Sequence, residues 1–110
     1  MPVNLGEFEQ LVLLALLRLG DAGYGVSVRR ELERRAGRAV SLGTVYTTLL
    51  RLEAKGLIAS RLGEPTPERG GRRKKHYLVT PAGRRALGRA FAALRRMTRG
   101  LEPLWGGEAP

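Results

Sequence analysis

The sequence predicts a mainly α-helical fold with one small β-hairpin, arranged as a winged helix-turn-helix with a further C-terminal helix. Three observations carry this expectation. Helical periodicity recurs in three successive stretches and again near the C-terminus. Two short strand-like runs flank a Gly- and Pro-rich loop between the third and fourth helices. The chain has 110 residues, about one small domain, which leaves room for little else.

The first helix is expected from about Leu5 to Leu19. Phe8, Leu11, Val12, Leu13, Leu14, Leu16 and Leu17 cover nearly its whole circumference. A helix apolar all round is buried on more than one side, and a short chain offers few elements to surround it. One side therefore faces its own domain and the other suits a second copy. Gly20-Asp21-Ala22-Gly23 ends this helix. A second helix follows Tyr24-Gly25 and runs to about Ala36, with Val28, Leu32 and Ala36 as its inner face. Ser41 is the expected N-cap of the third helix, because its hydroxyl can accept a free first-turn N–H. That helix ends near Lys55, before Gly56. Val45, Leu49 and Leu52 form its buried stripe, while Thr44, Thr47, Thr48, Arg51 and Lys55 face outward or sideways.

Leu57 to Leu62 reads as a strand, Gly63 to Arg72 as a loop, and Arg73 to Val79 as a second strand, giving an antiparallel hairpin. Thr80 caps the last helix with Pro81 at its first position. The helix runs to about Thr98, with Leu87, Phe91, Leu94, Leu101 and Trp105 near one stripe, and Gly100 and Pro103 distort or end it. Residues 1–80 are thus expected to form the winged helix-turn-helix, 81–105 a dimerisation helix, and 106–110 a flexible tail.

Twenty Lys and Arg against ten Asp and Glu give a net charge of +10, which draws the chain toward polyanions. The absence of Cys excludes disulfides, thiolate metal sites and Cys nucleophiles, and agrees with a reducing cytoplasm. The N-terminus does not read as a secretory signal, and the apolar run Leu11 to Leu17 falls short of the roughly 20 residues that span a bilayer. His76 is the only histidine and has no clustered ligands, so it reads as a wing-surface residue. Glu7 and Glu9, like Glu31 and Glu33, read as helix-surface charges. No catalytic, metal or cofactor site is expected.

Two segments carry chemistry. The third helix presents Ser41, Thr44, Thr47, Thr48 and Arg51 and delays its first acid to Glu53, so its N-terminal end can approach phosphate and base edges in a major groove. Arg69-Gly70-Gly71-Arg72-Arg73-Lys74-Lys75-His76 lies at the hairpin tip and rising strand. Consecutive cations repel one another in free solution and are relieved when phosphates neutralise them. Glu64 and Glu68 are expected to point away from a duplex. The same charge suits structured RNA or an anionic membrane surface. Aromatic residues make up only 5%, too few for a base-stacking surface, and the apolar stripe of the last helix is better used between subunits.

Several separated strings, in order, resemble the PadR family of transcriptional regulators. They are Tyr24-Gly25-Val26; Gly43-Thr44-Val45-Tyr46; Leu49-Leu50-Arg51-Leu52-Glu53-Ala54-Lys55-Gly56-Leu57-Ile58; and Gly70 through Arg84, including His76-Tyr77-Leu78-Val79-Thr80-Pro81. The resemblance covers about residues 5–98. It implies a cytoplasmic homodimer that binds double-stranded DNA at an inverted repeat and represses transcription until a small hydrophobic effector loosens it. It places Thr44, Tyr46 and Thr47, beside Ser41 and Arg51, at the DNA face, with Arg72, Arg73, Lys74 and Lys75 as the wing. It implies dimerisation through the last helix with help from the first, so Phe8, Leu11, Leu14, Leu87, Phe91, Leu94 and Leu101 are the expected contacts. The single terminal helix is similar to that of compact members. Some of these carry a mid-helix tryptophan for flat drugs, where this chain has Leu94; Trp105 lies about three turns later and is expected at the dimer edge or loose in the tail.

Overall fold

The computed structural model describes residues 4–65 and 73–105, the side chains of residues 64, 65 and 73 excepted. Helix α1 spans Glu7–Leu19, α2 Gly25–Ala36 and α3 Leu42–Ala54; strands β1 Ile58–Pro65 and β2 Arg73–Val79 follow, then α4 Pro81–Thr98. Short 3-10 turns occupy Gly20–Ala22 and Glu102–Trp105. This is the mainly α fold with one hairpin that the sequence predicts. The expected loop segment at residues 66–72, Glu68 and Arg72 among them, and the expected tail at 106–110 lie outside the described residues, as does the Glu64 side chain.

Local chemistry explains most boundaries. Glu9 Oε1 accepts the Gly6 N–H at 3.0 Å, so Gly6 stays extended and α1 starts at Glu7 rather than Leu5. Ser27 Oγ likewise accepts the Tyr24 N–H at 3.0 Å and opens α2. Ser41 Oγ accepts the Thr44 N–H at 3.1 Å, as its expected capping role requires. At the other end of α3, Gly56 adopts φ +76°, a left-handed value that glycine tolerates, and Leu57 N–H closes back onto Leu52 O at 3.0 Å. That bond keeps Leu57 out of β1, which starts at Ile58 and continues past Gly63 to Pro65.

The strands pair antiparallel, with Ile58 opposite Val79, Ser60 opposite Tyr77 and Leu62 opposite Lys75 on one face. Ala59 opposite Leu78 and Arg61 opposite His76 make the other face, and the register shifts between Leu62 and Pro65. The outer edge of β2 is held by the segment before α2: Tyr77 N–H donates to Gly23 O at 2.8 Å.

One core joins all elements. It is built from Val12, Leu13 and Leu16 of α1, Val28 and Leu32 of α2, Val45, Leu49 and Leu52 of α3, Ile58 and Tyr77 of the hairpin, and Ala86 and Leu87 of α4. Each fully buried Leu or Val contributes about 1.5–3 kcal/mol. Two expectations about which way a residue faces fail. Ala36 is exposed, at the open mouth of a groove between α1 and α2 beside Leu11 and Leu14. Thr48 is buried rather than outward, because its hydroxyl donates to Thr44 O at 3.0 Å and enters the core already satisfied. Of the four acids expected as helix-surface charges, Glu7 and Glu33 are exposed but Glu9 and Glu31 are buried. Each has cationic partners: Lys55 Nζ at 2.7 Å from Glu9, and Arg35 Nε at 2.6 Å with Arg34 Nη2 at 3.3 Å from Glu31.

Candidate nucleic-acid interface

Helix α3 is held on three sides. Its Lys55 end meets α1 through Glu9. Glu53 accepts a hydrogen bond from Ser60 Oγ of β1 and lies 3.7 Å from Lys75 Nζ of β2, so its carboxylate faces the wing. Tyr46 lies on the N-terminus of α2, where a Cβ at Gly25 would come within 2.5 Å of the ring. Burial, with the Glu53 charge and Tyr46 nearby, raises the Tyr77 phenol above its usual range, so it stays neutral under this helix.

What α3 leaves free is one strip at i, i+4, i+7 and i+11: Gly43, Thr47, Leu50 and Ala54, all exposed. Thr44 and Arg51 are exposed on one flank and Tyr46 on the other. Ser41 is exposed at the N-terminus, where its hydroxyl lies 2.9 Å from Thr44 Oγ1. Of the residues expected at a duplex, Ser41 at the cap and Thr44, Tyr46, Thr47 and Arg51 of α3 are therefore accessible, whereas Thr48 is buried. The first turn of α3 contains no acid, so its free N–H groups and positive dipole end stand unopposed.

The wing cations are divided. Strand alternation sends Lys75 to the core-side face beside Glu53 and Lys74 to the other, where its Nζ sits 4.4 Å from the centre of the Tyr24 ring. His76, expected on the wing surface, is half-buried: Nδ1 lies 2.9 Å from Asp21 O, and the ring meets Tyr24 edge-on. Arg72 and the Arg73 side chain lie outside the described residues.

The expected dimer contacts also divide. Phe8, Leu11, Leu14 and Phe91 are partly buried against the chain's own core. Leu87 belongs to that core outright and offers almost no surface to a second copy. Leu94 and Leu101 are exposed, together with Met97, Leu104 and Trp105. Leu94 and Met97 border a groove of about 380 Å³ shared with Asn4, Leu5 and Gln10. Leu50, Tyr24 and Glu53 also shape this face, with no site role expected of them from the sequence. Leu50 alone had a usable signal, its helical spacing from Thr47; the other two act through residues distant in the chain.

Among the described residues no cluster of three or more His, Cys, Asp or Glu gathers, and no helix is long and apolar enough to cross a membrane. A family model described as the transcriptional regulator PadR-like family matches residues 13–89. The chain is 42% identical over 76 residues to the transcriptional regulator Rv3488 of Mycobacterium tuberculosis, covering 69% of this chain and 66% of that protein. It is 32% identical over 87 residues to an uncharacterised 37.1 kDa protein in a transposon of Streptomyces fradiae, covering 78% of this chain but 23% of that one. The chain thus spans just under two thirds of the first relative and under a quarter of the second. A crystal structure of a PadR family transcription regulator from Clostridium difficile superposes with a TM-score of 0.73 at 26% identity, covering 92% of this chain and all of the other. Family match, relatives and fold agree with the geometry of α3 and its hairpin: the chain belongs to the PadR-like family, whose members are transcriptional regulators and not enzymes.

Proposed function

We propose that this protein binds double-stranded DNA as a cytoplasmic homodimer, sits on an inverted-repeat operator, represses transcription there, and is released by a small hydrophobic effector. The observation that carries the reading is the accessible strip of α3 behind the Ser41 cap, on a chain with net charge +10. Helix α3 enters the major groove N-terminus first. Lys74 and the neighbouring Arg72 and Arg73 reach the flanking phosphates, which sets orientation without reading sequence. The exposed apolar side chains from Leu94 near the end of α4 to Trp105 in the 3-10 turn beyond it support pairing with a second copy. Two-fold pairing puts half-sites about 34 Å apart, one turn of duplex. The effector fits the α1–α4 groove beside Leu5 and Leu94, where it would change the angle between the two heads.

The test is a salt series on a duplex selected from random pools. Affinity falls with salt in proportion to the phosphates neutralised, with a slope of about −0.9 for each. Replacing Arg72 and Lys74 together by Ala is expected to weaken every duplex and flatten the slope by about 2. Parental binding by that double variant across the series would remove the wing from the interface.

A further inference from the structure

Helix α3 presents few hydrogen-bonding groups to a groove. Its outermost strip consists of Gly43, Thr47, Leu50 and Ala54. Leu50 is 59% exposed at the middle of that strip, although Leu49 beside it is wholly buried. The Thr47 hydroxyl donates to Gly43 O at 3.0 Å, so its proton is engaged within the helix. The Thr48 hydroxyl is likewise turned inward onto Thr44 O. Glu53 is turned to the wing by Ser60 and Lys75, which removes the helix's one acid from the strip. No side chain on the strip can make the two-point hydrogen bonds that distinguish guanine or adenine. What remains is apolar: a leucine, an alanine and the threonine methyl.

One base offers an apolar group in the major groove, thymine with its C5-methyl. We infer that the Thr47–Leu50–Ala54 strip reads thymine methyl groups, with Leu50 as the principal specificity residue. The inference rests on the proposed DNA-binding function and adds what α3 selects for. Thr47 and Leu50 are three apart in the helix, with Cβ atoms about 5–6 Å from each other. Bases along one strand rise 3.4 Å per step, so the two side chains reach thymines one or two steps apart. Arg51, on the flank, is the exposed group of α3 suited to a guanine. Half-sites are therefore expected to hold one or two obligatory thymines near the position α3 occupies.

The experiment replaces each half-site thymine, one at a time, by deoxyuridine in a duplex selected with the full-length protein. The exchange removes only the methyl group and keeps every hydrogen-bonding atom. Affinity is read by fluorescence anisotropy at one salt concentration. The parent is expected to lose about fourfold for each contacted methyl, the transfer value of one buried carbon group, at equivalent positions in both half-sites. Leu50→Ala is expected to bind the thymine duplex about tenfold more weakly than the parent, to lose the thymine-over-uracil preference at its position, and to melt like the parent because Leu50 lies outside the core. Equal binding of thymine and uracil duplexes at every half-site position would overturn the inference while leaving DNA binding intact. Retention of the preference by Leu50→Ala would overturn Leu50's role in the same way. A parent that binds no duplex even in dilute salt would overturn the DNA-binding function, and this inference with it.

Discussion

Glu9 shows how one residue can tie distant parts of this chain together. Its carboxylate is buried, which on its own raises the pKa. The hydrogen bond from Lys55, the Gly6 N–H and the charges of Lys55 and Arg51 outweigh that, so the group sits below its ordinary value of 4.5. A depressed folded-state pKa means stability that is present above the unfolded value and is lost as pH falls through the folded one. The Glu9 contribution is therefore complete at neutral pH and disappears below 4.5. Glu9→Gln keeps an acceptor for Gly6 but leaves Lys55 without a countercharge. Because Lys55 is partly exposed, the expected cost is modest, about 1–2 kcal/mol near pH 7. Urea unfolding at about pH 7 and again at about pH 3 should show the gap between parent and variant closing in acid. A gap independent of pH would mean that the charge plays no part.

The junction of α3, the hairpin and α4 is set by close backbone approach. Thr80 N–H donates to Leu57 O at 3.0 Å, and its hydroxyl donates to Gly56 O at 2.8 Å while accepting the Gly83 N–H at 3.1 Å. One residue thus caps α4 and holds it to the end of α3. Gly83 permits this: a Cβ there would lie 2.2 Å from Leu57 O and 2.7 Å from Val79 Cγ1. A carbonyl cannot retreat as a flexible side chain can. Gly88, five residues on, is exposed and has nothing within 4 Å of its would-be Cβ. The same substitution in one helix should therefore act in opposite directions. Gly83→Ala is expected to destabilise by about 1–3 kcal/mol through overpacking, and Gly88→Ala to stabilise by about 0.5–1 kcal/mol through helix propensity. Thermal melts of the two variants beside the parent decide it. A neutral Gly83→Ala would mean that α4 can shift on its seat.

The molecule is elongated, 54 × 32 × 21 Å, and the start of α4 is packed while its end is not. Ala86 and Leu87 lie in the core, Phe91 at its margin, and Leu94 and Met97 are 51% and 75% exposed. Net charge of +10 keeps copies apart unless apolar contact offsets the repulsion. Leu94→Glu with Met97→Glu puts acids on that face without touching the core. If the proposed homodimer pairs through this face, its dissociation constant is expected to rise by on the order of 100-fold, the loss of two or more central contacts. Sedimentation at micromolar concentration should then report half the parental mass. A variant that stays dimeric like its parent would place the subunit contact elsewhere, and a parent of monomer mass would overturn the proposed homodimer.

The elements themselves were legible because their causes are local. The capping bonds of Ser41 and Thr80, the fixed ring of Pro81 and the left-handed turn at Gly56 each set a helix end within a few residues of their own position, and the buried stripe of Val45, Leu49 and Leu52 follows from helical repeat alone. Partnership across the chain left no such trace. Nothing near Glu9 in sequence announces Lys55, 46 residues away, and nothing near Lys75 announces Glu53. A run of four cations reads as one patch until pairing with β1 sends Lys74 and Lys75 to opposite faces. Leu49 and Leu50 look equivalent as letters; the common core takes in one and leaves the other at the outer surface of α3. Periodicity specifies that a helix has an inner face, but which outward residues remain free depends on which neighbours the folded chain brings alongside.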